Sequence, residues 1–119
     1  MLKINVNANE LNALGRCLNI LFKKVSGEMD YTDFYNFKTL MQKVFSKIYT
    51  LTYNNNKCKF IKVNLNEFNT LRLFFNLYPG IFSGDSLVYE NTIFLRILGD
   101  CDRQIKSLGL PVKTLDIII

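Results

Sequence analysis

Asp30 and Asp33, Asp85, Glu90, and Asp100 with Asp102 are the carboxylates on which acid–base or metal chemistry would have to draw. Their spacing builds no constellation. Asp30 and Asp33 suit a helix N-terminus, where the backbone dipole favours negative charge. Asp100 and Asp102 straddle Cys101 and fall on a solvated helix face. The chain contains no histidine, so it lacks the commonest general base and the commonest zinc ligand. A cysteine nucleophile needs a base beside it. Cys17, Cys58 and Cys101 are far apart, odd in number and without CxxC spacing, which gives neither a metal site nor a disulfide framework. Reduced thiols in a cytoplasmic protein are the expectation. SGEM and SGDS, at 26–29 and 83–86, read as turns and not as phosphate loops. The sequence therefore reads as a non-enzyme with no cofactor and no metal.

Charge offers a different chemistry. The net charge is +5, and the excess lies in the first half. Lys23, Lys24, Lys38, Lys43 and Lys47 are followed by Lys57, Lys59 and Lys62, with Tyr31, Tyr35, Tyr49 and Tyr53 interleaved. Lysines among tyrosines can track phosphates and stack bases. Nucleic-acid binding through Lys23, Lys24, Lys38, Lys43, Lys47, Lys57, Lys59, Tyr49 and Tyr53 is accordingly the alternative functional reading. Arginines, the residues suited to bidentate base contacts, are few, and no zinc-finger or RNP1 motif is present.

The asparagines carry the most specific pattern. VNANEL at 6–11 returns as VNLNEF at 63–68. Shifted by 57 positions, the chain superposes on itself: Ile4 on Ile61, Val6 on Val63, Asn7 on Asn64, Glu10 on Glu67, Leu14 on Leu71, Ser26-Gly27 on Ser83-Gly84, Phe37 on Phe94, and Ile48 on Ile105. An asparagine followed three residues later by glutamate is a capping box, so each copy reads as a strand-to-helix junction. Asn12, Asn19, Asn69 and Asn76 also recur, and seven-residue spacing puts each pair on one helix face beside the apolar stripe. These four are the candidate contacts to a protein or ligand.

The elements follow from periodicity. LKINV at 2–6 and CKFIKVNL at 58–65 alternate as strands do. Leu11, Leu14, Leu18, Leu21 and Val25 form a helical stripe, as do Phe68, Leu71, Phe75, Tyr78 and Phe82, the latter made to end earlier or kink by Pro79-Gly80. Asp30 or Thr32 caps a second helix with Phe37, Leu40, Met41, Val44, Ile48 and Leu51 inward; Phe94, Ile97, Leu98, Cys101, Ile105 and Leu108 are the counterpart. Residues 53–57 read as a polar linker, and TLDIII at 114–119 as a terminal strand. The expected fold is α+β, a duplicated β-α-α unit running β-α-α-β-α-α-β. It has a three-stranded, mostly antiparallel sheet with four helices on one face, about a pseudo-two-fold. One domain is expected, from repeats 1–57 and 58–114 plus a C-terminal strand 115–119.

No apolar run reaches the roughly 18 residues of a membrane span, and the start lacks the look of a signal peptide. The richness in Asn, Ile, Lys, Phe and Tyr fits A/T-rich coding, as in a phage or mobile element. Together these features point to a small protein-binding module: an inhibitor, adaptor or virion component. Its partner is an unidentified protein, and a homo-oligomer through a sheet edge or through Ile117, Ile118 and Ile119 is a further expectation.

Overall fold

The computed structural model describes residues 2–54 and 60–109. The chain runs β1 (Leu2–Ile4), α1 (Ala8–Val25), α2 (Tyr31–Asn54), β2 (Ile61–Val63), α3 (Leu65–Leu77) and α4 (Val88–Ser107), with single 3-10 turns before α2 and α4. Both junctions form as the sequence implies. Asn7 accepts from the Glu10 amide and Glu10 accepts from the Asn7 amide, each at 2.9 Å; Asn64 and Glu67 do the same at 2.7 and 3.0 Å. Asp30 caps α2 through the Asp33 amide at 2.7 Å. Gly109, at φ 68°, closes α4 in the left-handed conformation that glycine adopts without penalty.

The expected three-stranded sheet bearing four helices is overturned. Among the described residues the sheet is one antiparallel pair, β1 with β2, and the molecule is a helical bundle carrying a short ribbon. Dimensions explain the difference. A three-residue strand spans about 10 Å, whereas the 24-residue α2 spans about 36 Å. So small a ribbon cannot be the platform, and helices bury most of one another. The alternating runs overstated the strands, which stop at Ile4 and begin at Ile61. The strand expected at 115–119, with Ile117, Ile118 and Ile119, lies outside the described residues, as do Lys57, Cys58 and Lys59. Two smaller corrections concern helix ends. Tyr53 and Asn54 continue α2 instead of opening a linker, and Leu108, expected inward, is exposed because α4 has already ended.

Pairing sets Leu2 opposite Val63, Lys3 opposite Lys62 and Ile4 opposite Ile61. Ile4 thus meets the residue that the 57-position shift assigns to it. One sheet face, Leu2, Ile4, Ile61 and Val63, is buried, while Lys3 and Lys62 point to water. The second helices cross over: α4 packs on β1 and α1, and α2 packs on β2 and α3, while α1 also lies along α2. The core joins Leu11, Leu14, Leu18, Leu21, Phe37, Phe68, Leu71, Phe94 and Ile97 in one cluster. No helix among the described residues is long and apolar enough to cross a membrane.

Candidate functional site

The crossing of α2 over β2 and of α4 over β1 makes two equivalent corners, which the chain furnishes differently. Each corner begins with a capping glutamate. Glu67 is fully buried. Its Oε1 accepts from the Asn64 amide and from Lys43 Nζ (2.6 Å), and its Oε2 accepts from Thr39 Oγ1 (2.7 Å). Glu10 meets Arg96 Nη2 at 3.0 Å, and Arg96 stands 57 positions after Thr39. A burial this deep is sustained because every carboxylate oxygen has a donor.

Beyond each glutamate lies a groove between the second helix and the outer strand edge. Lys43, Ser46, Lys47, Thr50, Phe60, Ile61 and Lys62 line the one beside β2, of about 420 Å³. Asn5, Arg96, Asp100, Arg103, Gln104 and Ser107 line the one beside β1, of about 410 Å³. Asp100, Arg103, Gln104, Ser107 and Asn5 occupy the places of Lys43, Ser46, Lys47, Thr50 and Lys62. The β1 groove is knit together by the chain itself: Asp100 pairs with Arg96 and Arg103, and Gln104 bonds the strand. The β2 groove carries lysines and no acid among its lining residues.

The outer face of α2 is the second feature. Tyr31, Tyr35, Lys38, Gln42, Phe45 and Tyr49 step by four and three, so one stripe of the helix carries them all. Tyr31 is 88% exposed, Tyr35 62% and Tyr49 63%. Phe34 flanks the stripe, with Lys38 Nζ 5.8 Å from its ring centroid.

The lysines of the nucleic-acid reading are strung along the bundle. Lys23 and Lys24 end α1, with Lys24 over the Tyr78 ring at 5.3 Å. Lys38 and Lys47 are exposed on α2, and Lys43 is tied to Glu67. The asparagines of the protein-contact reading separate. Asn12 and Asn19 are exposed on α1, whereas Asn69 and Asn76 are half-buried on α3. The Asn69 carboxamide is enclosed with no hydrogen-bond partner among the described residues. The repeat thus keeps the residue type and changes its surroundings.

Cys17 and Cys101 are buried, and burial pushes both thiols up to about 12. Thiols so protonated are poor nucleophiles. No group of His, Cys, Asp or Glu able to hold a metal occurs among the described residues. Gln104, Arg96 and Thr39 went unnoticed in the sequence. Comparing position 104 with 47, and 96 with 39, is the signal that would have found them, since only non-identical repeat positions can make the corners differ. No family model, curated protein or solved structure matches the chain.

Proposed function

We propose that this protein works by binding another protein and carries no chemistry of its own. The observation that supports the reading is the stripe on α2. Tyrosine and phenylalanine offer large contact area at little cost in side-chain entropy, and aromatics are the residues most enriched at interface centres. A stripe at heptad-like spacing is the pattern a helix offers to a second helix or to an apolar groove. Lys38 within it suits a partner with an acidic rim. An inhibitor, adaptor or virion component fits this description.

Affinity capture from host lysate tests the proposal when wild type is run beside a Tyr31→Glu/Tyr35→Glu double variant. Both side chains are exposed, so the variant keeps the core. A defined protein retained by the wild type and lost by the variant is the expected outcome. Equal recovery by both proteins removes the α2 stripe from the reading.

Nucleic-acid binding is a second reading, favoured by exposed Lys47 and Lys62 on one groove. Phosphate contacts weaken steeply with salt. A mobility shift at low salt that vanishes with rising ionic strength supports it, and a flat titration sinks it.

A further inference from the structure

The two strand edges differ in what covers them. At the outer edge of β1, Gln104 lays its side-chain carboxamide against the backbone of Lys3. Nε2 donates to the Lys3 carbonyl at 2.6 Å, and Oε1 accepts from the Lys3 amide at 2.8 Å. Arg96 Nη2 donates to the Asn5 carbonyl at 3.1 Å. A carboxamide is the same group as a peptide bond, so α4 closes this edge with one amide in place of a strand.

Because Lys3 turns both its amide and its carbonyl outward, the pair Lys3–Lys62 is a non-hydrogen-bonded one. The amide and carbonyl of Lys62 therefore face outward too, on the opposite edge. There the residue in the place of Gln104 is Lys47, which has no acceptor to offer, and the residue in the place of Arg96 is Thr39, whose hydroxyl is given to Glu67. Among the described residues no side chain bonds the Lys62 backbone. The exposed edge lies along the β2 groove, beside Ser46, Lys47 and Thr50 and over the apolar Phe60 and Ile61.

We infer that the outer edge of β2 is a strand-addition site for an extended acidic segment of a partner protein. The segment's backbone pairs with the amide and carbonyl of Lys62, and alternate carboxylates meet Lys47 and Lys62. Main-chain pairing on an unpaired edge supplies affinity, and side-chain pockets supply selection. Charge chooses the partner: an acidic strand meets lysines here, whereas at β1 the edge is closed by Gln104 and the groove holds Asp100. The site deepens the protein-binding reading but does not depend on the α2 stripe, so either can fail alone.

The test uses a blocked Glu-Thr-Glu-Val-Glu-Thr-Glu peptide titrated into the full chain, followed by backbone amide NMR. Binding should shift the Ile61, Lys62 and Val63 amides and slow hydrogen exchange at Lys62, leaving Lys3 unchanged. The same peptide N-methylated on alternate amides keeps its charge and loses its donors; it should bind at least tenfold more weakly. Lys47→Glu, on an exposed helix position, should weaken the parent peptide by tenfold or more. Lys62→Pro should abolish pairing, since it removes the outward amide at an edge where proline is tolerated; Lys62→Gln separates that loss from the loss of charge. The inference falls if the parent peptide causes no shift at millimolar concentration, if the N-methylated peptide binds equally, or if Lys47→Glu has no effect. It also falls if an oligo-dT of equal charge gives the same shifts at Lys62. Loss of peptide binding in the Tyr31→Glu/Tyr35→Glu variant would place the contact on α2 and overturn the edge assignment.

Discussion

The two halves of the chain solve one packing problem with different materials. Where α1 meets α2, Gly15 lies under Phe45 and Ile48; a Cβ there would stand 2.9 Å from Ile48 Cδ1 and 3.3 Å from Phe45 Cε1. In the second half the same three positions hold Arg72, Asp102 and Ile105, and Arg72 pairs with Asp102 at 3.0 Å. Leu18 and Val25 likewise give way to Phe75 and Phe82, which pack with Phe94 at centroid distances of 4.8 and 5.0 Å. Larger rings and an ion pair hold α3 and α4 further apart, and their contact is slighter than that of α1 with α2. Side-chain volume sets helix separation. An apolar close approach in one half is thus replaced by a polar tie at longer range in the other.

The capping glutamates should break this comparison most visibly. Glu67→Ala removes a fully buried carboxylate with three partners and leaves the Lys43 ammonium without its carboxylate, at a cost of about 3 kcal/mol. Glu10→Ala, in a more exposed corner, should cost about 1 kcal/mol. Urea unfolding of both variants checks the ranking, and equal losses would mean that burial does not distinguish the two corners.

Close approach is the next contrast. Gly15→Leu forces bulk against Phe45 and Ile48 and should cost about 1–3 kcal/mol. Arg72→Ala, at the matching position, removes a partly solvated ion pair and should cost under about 1 kcal/mol. If thermal denaturation ranks Arg72→Ala as the more damaging, the α1–α2 contact is looser than its distances imply. The caps come third. Asn7→Ala and Asn64→Ala should each lose about 1 kcal/mol, because each deletes one helix-end acceptor.

The local grammar was legible in the sequence. The two capping boxes and the Leu11-to-Val25 stripe follow from residue type and spacing; the structure then chooses Asp30 over Thr32 as the α2 cap and an early end at Leu77 over a kink in α3. The sheet was not, because alternation of apolar and polar residues extends beyond the hydrogen-bonded part of a strand. Val6 is buried yet lies past the end of β1. The corners were hidden for a related reason. Repeat identities mark what the halves share, whereas the open edge at Lys62 arises where they differ, at Lys47 against Gln104. The Asn69 carboxamide shows the limit of residue type as a guide: its partner position Asn12 is exposed, and only tertiary packing separates the two.

Thiol chemistry gives a smaller effect that both halves should share. Burial holds Cys17 and Cys101 protonated, with pKa values near 12. Neither should react with an aromatic disulfide reagent at about pH 8 while the protein is folded, and both should react in denaturant. Rapid labelling of Cys17 in the native protein would contradict the packing of α1 against α4.

The smallest expected effect separates Asp33 from Glu90, which occupy the same place in the first turn of α2 and α4. Burial and the neighbouring Asp30 carboxylate raise the Asp33 pKa. Glu90's own backbone amide, and then Arg16 at 2.9 Å, hold the Glu90 carboxyl below its ordinary value, against the opposing push of burial. The signs of the linkage are therefore opposite. A carboxyl depressed in the folded state adds stability above its unfolded pKa, and that stability is lost as pH falls through the folded value. A carboxyl raised in the folded state subtracts stability at neutral pH, and acidification through its folded pKa relieves the penalty. Melting temperatures of wild type, Asp33→Asn and Glu90→Gln at pH 7 and at about pH 3 test this. Relative to wild type, Glu90→Gln should be less stable at pH 7, with the gap narrowing in acid. Asp33→Asn should gain on wild type at pH 7 and lose that gain in acid. Parallel behaviour of the two variants would mean that the Arg16 contact and the Asp30 neighbour do not govern these positions, and that the two helix starts are electrostatically alike.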